Sequence, residues 1–256
     1  MPLTLDVRSD EQSVRRYREA NAERLLECFG LQLPSRRLLC FLDDQCCQEF
    51  EQENPGARGF YSPVKLCYVP FTVAPAYIRD SLLPDGVQAF DDFIYLHGCT
   101  CSNEMSLTMT LAHELQHFVQ HTNQTRLWAA NSLIPMLTKD AVRDLGLTWC
   151  DIPTEREARI VAKRTAEGLL GADAVQRHIE AMIAKRPGSE DAEDWSCVRG
   201  LVTSDQYDLA SETKRFFPRL SGYREQLEGV LFQFQYRDDP DFGGVDLDEL
   251  LSGAGA

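Results

Sequence analysis

The chain has 256 residues, of which 43% are hydrophobic and 26% charged, a composition typical of a globular protein with a sizeable core. Forty acidic side chains against 26 basic ones give a formal net charge of -14, which repels nucleic-acid phosphates and anionic lipid. Nucleic acid and membrane surfaces are therefore not expected as partners. A cytoplasmic location is expected, because residues 1–12 lack the basic start and apolar run of a secretory signal.

The first hundred residues alternate between apolar, β-rich runs and clusters of Pro, Gly and Asp. Before these runs, apolar residues at helical spacing predict an amphipathic helix over 9–29. The apolar runs predict three strands of one sheet, at 38–42, 64–73 and 93–96.

From residue 103 onward the apolar residues follow a helical period. Helices are predicted near 103–122, 126–138, 154–170, 173–185 and 219–236. Pro135 is placed to kink the second of them. The acidic, glycine-containing end of the chain, 237–256, is predicted to be a flexible tail.

Strands followed by helices predict an α+β fold, with a small mixed or antiparallel sheet in the N-terminal half and a mainly helical C-terminal half. We predict one domain over 1–236, built from a sheet lobe at 1–122 and a helical lobe at 123–236.

Nine cysteines are scattered along the chain without a CxxC pair. An odd number in a chain of this size predicts reduced, mostly buried thiols. The alternatives are metal binding or redox sensing by the adjacent Cys46 and Cys47 or by Cys99 and Cys101, although neither pair has a recognised ligand spacing.

An HExxH motif lies inside the strongly helical segment LAHELQHFV, residues 111–119. On a helical wheel His113 and His117 fall opposite the predicted core face, which is formed by Leu111, Leu115, Phe118 and Val119. Imidazoles at i and i+4 stand one turn apart and can reach one tetrahedral Zn²⁺ at about 2.0 to 2.1 Å. Glu114 is angled away from His113, which suits a base that takes a proton from water. The alternative is a helix whose polar face merely carries two histidines.

A catalytic zinc needs a third protein ligand and an open fourth position. The candidates are His121, Asp151, Glu155 and Glu157. His121 lies about 12 Å along the helix from His113 at about 1.5 Å per residue, which predicts a solvated or supporting role.

Pro153 and Thr154 signal the start of a helix that carries both glutamates. Glu155 shares its side with a strip of small residues, which allows close approach to the histidine helix: Ala158, Ala162 and Ala166. Glu157 faces a bulkier side: Ile160, Val161 and Arg164. The wheel favours Glu155 as ligand, and the alternative is that both are first-turn carboxylates favoured by the helix dipole.

HExxH followed some tens of residues later by a helix with ExEA resembles the glutamate-type zincin metallopeptidases, in particular the prenyl-protein-processing and ImmA/IrrE-like peptidase groups. The resemblance covers about residues 92–170. It implies a zincin-like fold with its sheet packed on the HExxH helix, one catalytic zinc, and Glu155 as its third ligand. The family has Asp or Asn where this chain has Arg159, which can either compete with the metal for Glu155 or turn outward.

The resemblance also implies an edge strand before the histidine helix, at 90–98, that pairs with an extended peptide. Phe93, Tyr95 and His97 would then face the substrate. Many such enzymes use a later Tyr, His or Arg to stabilise the oxyanion, and the available residues are His178, Tyr207 and Tyr223.

The leading hypothesis is a zinc metallopeptidase acting on a peptide or protein substrate, with His113, His117 and Glu155 as ligands and Glu114 as base. The alternative is a catalytically inactive, metal-binding regulatory or interaction protein that docks a basic partner on its acidic surface. A further alternative is an immunity, toxin or effector component with one protein target. The sequence makes no prediction about oligomeric state.

Overall fold

The structure is a computed structural model, and it describes most of the chain from residue 91 onward and parts of the chain before it. The described residues are 3–8, 20, 24–25, 38–43, 58–63, 91–97, 100, 103–137, 144–204, 206–236 and 239–253. Their architecture is mixed α+β and mostly helical, as predicted.

In the part of the chain that the structure describes, four strands form one mixed sheet in the order β1-β2-β4-β3. They are β1 (Leu3–Arg8), β2 (Leu38–Asp43), β3 (Gly59–Pro63) and β4 (Asp92–His97). β1 and β4 pair with β2 in parallel, and β3 pairs with β4 antiparallel. The predicted strands at 38–42 and 93–96 are confirmed as β2 and β4. The predicted strand at 64–73 lies outside the described residues, as does most of the predicted helix at 9–29.

The prediction that residues 90–98 form an edge strand facing a peptide is wrong. β4 is paired on both sides, by β2 and β3, and Phe93 and Tyr95 are 0% exposed. The ring of Phe60 on β3 lies 5.9 Å and 5.6 Å from the rings of these two residues. The side chain of His97 lies outside the described set. In the sheet of the described strands, β1 and β3 occupy the edges instead.

Eight α-helices follow the sheet in the described part of the chain. They are α1 (Glu104–Asn123), α2 (Thr125–Ser132), α3 (Pro153–Leu170), α4 (Ala172–Lys185), α5 (Glu190–Gly200), α6 (Leu209–Phe216), α7 (Arg224–Gln235) and α8 (Leu247–Ser252). Three short 3₁₀ segments accompany them: Ile134–Met136, Trp149–Asp151 and Phe217–Tyr223. None of the described helices is both long and apolar enough to cross a bilayer.

The predicted helices at 103–122, 154–170 and 173–185 are confirmed as α1, α3 and α4. The prediction at 126–138 is too long, because α2 ends at Ser132 and Pro135 lies in a 3₁₀ turn. The prediction at 219–236 begins too early, since a 3₁₀ segment containing Pro218 precedes α7. α5, α6 and α8 were not predicted.

Residues 239–253 differ from the flexible tail that their composition predicts. Asp246 caps α8 by accepting a hydrogen bond from the backbone N–H of Glu249, and Gly253 ends it at φ 65°. Four side chains of this segment are buried: Phe242, Val245, Leu247 and Leu251. An acidic composition therefore did not prevent packing, because most of the few apolar residues face inward and only Leu250 is half-buried.

The chain divides into two compact units. One comprises Met1–Phe118 and Thr165–Val175, and the other Val119–Arg164 and Gln176–Ala256. The boundary at 118–119 lies near the predicted lobe boundary at 122–123, but the last third of α3 belongs to the first unit. Helices α1 and α3 are continuous where the division crosses them.

Within the first unit, the edge strand β3 packs on α1, the HExxH helix. The ring of Tyr61 meets that of Phe118 edge-on at 6.1 Å. A Cβ at position 59 would lie 2.6 Å from the carbonyl oxygen of Tyr95 and 3.3 Å from Thr110, so only glycine permits this approach. The small sheet is thus packed on the histidine helix, as predicted.

Candidate metal centre

Helix α1 is buried nearly all the way round, rather than on one face. Of its predicted core residues, Leu111, Leu115 and Phe118 are buried and Val119 is half-buried. His117 and Gln120 on the opposite side are buried as well. The side of the helix opposite the predicted core face is therefore largely buried too. Buried polar side chains need partners, and the contacts of this face define the candidate site.

The two histidines of the HExxH motif point their Nε2 atoms at one place. The distance from His113 Nε2 to His117 Nε2 is 3.0 Å, and the rings meet edge to face with centroids 4.7 Å apart. Two nitrogens at about 2.0 to 2.1 Å from one tetrahedral ion are about 3.3 Å apart. The pair is thus spaced nearly as a shared ion requires.

Glu155 completes a group of three with these histidines. It lies in the first turn of α3, and a ligand atom of each of His113, His117 and Glu155 lies within 4.8 Å of those of the other two. Within the described ranges this is the one such group of His, Cys, Asp or Glu. The small strip next to Glu155 is buried, as the wheel predicts: Ala158, Ala162 and Ala166.

The donor set of this group fits a divalent transition metal. Two imidazoles and one carboxylate form the ligand set of one class of catalytic zinc site, with a fourth position open. Imidazole also binds copper, iron and nickel, so the donor types do not by themselves select zinc. The two histidines and Glu155 are the side chains that would hold such an ion.

Glu157 belongs to a different contact. The amide nitrogen Nε2 of Gln120, a buried residue of α1, donates to the backbone carbonyl of Thr154 at 2.9 Å and to Oε2 of Glu157 at 2.8 Å. No motif or spacing in the sequence predicts a role for Gln120. Its one sequence signal is its place one turn after His117 on the polar side of the helix.

The other two ligand candidates have partners elsewhere. Asp151 accepts hydrogen bonds at Oδ2 from the backbone N–H and the hydroxyl of Thr148, at 2.7 and 2.9 Å, and so closes its own turn. The Nε2–H of His121 donates to Asp241 at 2.8 Å, and its ring lies 4.3 Å from that of Trp128. His121 is fully buried, so the expectation of a solvated residue is wrong, while a supporting role at the metal centre stays a prediction.

Arg159, which stands where the zincin groups have Asp or Asn, is engaged by helix α5. Among the described residues its guanidinium pairs with the carboxylate of Asp194 rather than with that of Glu155. Of the two alternatives for this arginine, the structure has the one in which it turns away from Glu155.

The oxyanion candidates differ in their surroundings. Burial, followed by the Glu212 carboxylate, raises the pKa of Tyr207 well above its ordinary value of 10. The phenol therefore keeps its proton, and its donor capacity, at neutral pH. The ring of His178 meets that of Trp195 edge-on at 5.5 Å, and Tyr223 ends a 3₁₀ segment.

Two of the cysteines form a disulfide, which corrects the expectation of reduced thiols throughout. Cys150, just before α3, is bonded to Cys197 of α5. Cys40 is a buried free thiol whose pKa burial raises to about 12, so it is inert as a nucleophile. The remaining six, including the Cys46–Cys47 and Cys99/Cys101 pairs, lie outside the described residues.

Comparison of the chain with models of known protein families, with curated proteins and with solved structures found no match. The case for a function therefore rests on the motif and on the group of side chains around it.

Proposed function

We propose that the protein is a zinc-dependent metallopeptidase with a zincin-like fold. The observation that carries the proposal is the grouping of His113, His117 and Glu155, two of them one turn apart and the third 38 residues further along the chain. A chance HExxH helix would not require a carboxylate from another helix to meet its histidines. The paired sequence signals and the grouping together support a metal centre.

The residues of the site suggest separate roles for the metal ion and for Glu114 in hydrolysis. When bound, Zn²⁺ polarises a carbonyl and lowers the pKa of water. Glu114 follows His113 in the chain and is only 5% exposed, which suits a carboxylate that acts as a general base. It takes a proton from the water whose oxygen bonds to the peptide carbon. It then passes that proton to the leaving amine nitrogen as the C–N bond breaks.

The proposed substrate is a peptide or a protein. The formal net charge of -14 argues against nucleic acid, and no Ser/His or Cys/His pair has comparable support as a nucleophile. The pairing of Arg159 with Asp194 supports a working site, because the arginine does not withdraw the carboxylate of Glu155.

The test compares zinc content and peptide cleavage in the purified wild type and in Glu114→Gln. We expect about one zinc per chain in both proteins, because the base is not a ligand, and cleavage by the wild type alone. Wild-type protein without stoichiometric zinc would contradict the proposal. Wild-type protein that holds zinc but leaves broad peptide libraries intact would instead support the alternative of an inactive, metal-binding regulatory module.

A further inference from the structure

We propose that Gln120 is a positioning residue, which sets the distance between the carboxylate ligand of the metal centre and its two histidines. The inference rests on the proposed metal site and adds a residue to it. Gln120 is 1% exposed, and its side-chain amide donates hydrogen bonds to Thr154 and to Glu157.

On the histidine side, Gln120 is rigidly related to the HExxH motif. It follows His117 by three residues in the unbroken helix α1, which places it about 60° round the axis and about 4.5 Å along it. The backbone hydrogen bonds of the helix fix this offset. Any group held by the amide of Gln120 is thereby held at a set distance from the second histidine.

On the carboxylate side, the two acceptors lie on either side of Glu155. Thr154 precedes it directly, and Glu157 follows it by two residues in α3. The acceptors are bound at 2.9 Å and 2.8 Å, so both N–H groups of one amide are used. One acceptor is backbone and the other is a carboxylate, which makes the second bond charge-assisted. The amide thus determines where the helix that carries Glu155 begins.

Because this amide is buried, its two hydrogen bonds to Thr154 and Glu157 are strong and fixed in direction. Water does not compete for the N–H groups, so the two bonds hold their acceptors in one geometry. A metal ligand displaced by a fraction of an ångström loses coordination, whereas a core contact tolerates such a shift. A positioning role therefore predicts an effect on metal binding that exceeds the effect on folding.

The first experiment compares Gln120→Met with a matched control, Asn131→Leu. Asn131 is also 1% exposed, and its amide also donates two bonds, to the carbonyl of Leu127 at 2.9 Å and to the hydroxyl of Thr213 at 3.0 Å. Each variant removes both donors at similar volume. We expect both to lower the unfolding temperature of the metal-free protein. Only Gln120→Met should weaken Zn²⁺ binding, by about 10- to 100-fold in a chelator competition.

A spectroscopic readout separates positioning from general destabilisation. Co²⁺ in place of Zn²⁺ gives visible bands that report its coordination. In Gln120→Met these bands should shift toward those of Glu155→Ala, in which the carboxylate ligand is deleted. In Asn131→Leu they should match the wild type.

A donor exchange supplies the rescue. Gln120→Glu leaves an ionised carboxylate without N–H groups opposite Glu157, so it should bind zinc more weakly than the wild type. Adding Glu157→Gln reverses the hydrogen bond. The amide at position 157 can then donate to the carboxylate at position 120. The double variant should recover part of the lost affinity, while the bond to Thr154 stays broken.

The outcomes distinguish this inference from the proposed function. Wild-type zinc affinity in Gln120→Met, or a loss no larger than that in Asn131→Leu, would overturn the positioning role, while zinc loss in Glu155→Ala would leave the metal site standing. If Gln120→Met does not fold, equal zinc affinities of Gln120→Glu and of the double variant would overturn it. A wild type that binds no stoichiometric zinc would overturn both.

Discussion

At the scale of single residues, neighbours decide what chemically identical side chains do. Glu155 and Glu157 are two residues apart in the same helical turn. The first lies with the paired imidazoles of His113 and His117, and the second accepts a hydrogen bond from Gln120. A rotation of about 200° between positions i and i+2 of a helix turns them to different surroundings. The same type of side chain is thereby a candidate metal ligand at position 155 and a hydrogen-bond acceptor for Gln120 at position 157.

Replacing the two glutamates separately by alanine tests this assignment. Glu155→Ala is expected to lose stoichiometric zinc, because only two protein ligands remain. Glu157→Ala is expected to keep about one zinc per chain, with an affinity lowered by about tenfold through the loss of one supporting hydrogen bond. Zinc content by elemental analysis and affinity by chelator competition measure both. Loss of the metal in Glu157→Ala alone would show that the assignment is reversed.

At the scale of elements, helix α3 is tied to α5 at several levels. The disulfide joins Cys150, in the turn before α3, to Cys197 of α5. Arg159 of α3 pairs with Asp194, which lies about one turn before Cys197 in α5. Further on, the buried Nζ of Lys163 donates to the carbonyls of Arg199 and Leu201 at 3.0 and 2.8 Å, which caps the end of α5. α5 thus acts as a support for the helix that carries Glu155.

The disulfide in this support should contribute strongly to stability. It closes a loop with a sequence separation of 47 residues, for which the chain-entropy relation gives about 4 kcal/mol. The double variant Cys150→Ala/Cys197→Ala is therefore expected to lose about 2 to 4 kcal/mol of unfolding free energy in urea. Wild-type protein in dithiothreitol should approach the stability of the variant. A wild type that is insensitive to reductant would contradict the pairing.

The start of helix α6 gives a prediction about pH. Hydrogen bonds from the hydroxyl and the backbone N–H of Ser211 hold the pKa of Asp208 below its ordinary value of 3.8. A carboxyl with a lowered pKa in the folded state stabilises that state above 3.8, and this contribution disappears as the pH falls through the folded-state pKa.

Asp208→Ala should therefore be less stable than the wild type at pH 7, and the two proteins should converge in acid. Asp208→Asn is the control, since its amide oxygen accepts the same bonds without titrating in this range. Urea unfolding from about pH 2 to about pH 7 measures the difference in unfolding free energy between the wild type and each variant. A gap between wild type and Asp208→Ala that does not depend on pH would contradict the capping role.

At the scale of the whole molecule, residues 239–253 are part of the core of the helical unit. Asp241 accepts a hydrogen bond from His121, and the ring of Phe242 stacks on that of Phe234 at 4.1 Å and meets Trp128 at 6.4 Å. The carbonyl of Gly244 accepts a hydrogen bond from Arg126 Nε at 2.7 Å. Contacts across about 120 residues of sequence thus bind residues 239–253 to α1 and α2.

Phe242→Ala should then be strongly destabilising. Removing a fully buried phenylalanine costs about 3 to 5 kcal/mol through lost burial and a residual cavity. Phe232→Ala, in the same unit but with 63% of the side chain exposed, is the control and should change the unfolding free energy by less than about 0.5 kcal/mol. Equal and small effects in thermal and urea unfolding would mean that the segment is the mobile tail its composition suggests.

The sequence by itself determined the features that depend on short spacings along the chain. A helical period predicts α1, α3 and α4 because side chains at i, i+3 and i+4 share a face whatever lies around them. For the same reason the spacing of His113 and His117 places two imidazoles one turn apart, and the small residues beside Glu155 mark it as the carboxylate able to approach them. Short elements could not be predicted in this way. The strand β3 has five residues including Gly59 and Pro63, which are too few to show a period.

Only the tertiary structure decided the features that depend on contacts between distant segments. The order of the strands, the burial of the polar side of α1, the Cys150–Cys197 bond and the packing of residues 239–253 belong to this group. Gln120 and its acceptors at 154 and 157 belong to it as well. Local spacing constrains which way a side chain points on its own helix. It carries no information about which other helix, tens of residues away, will lie there to receive it.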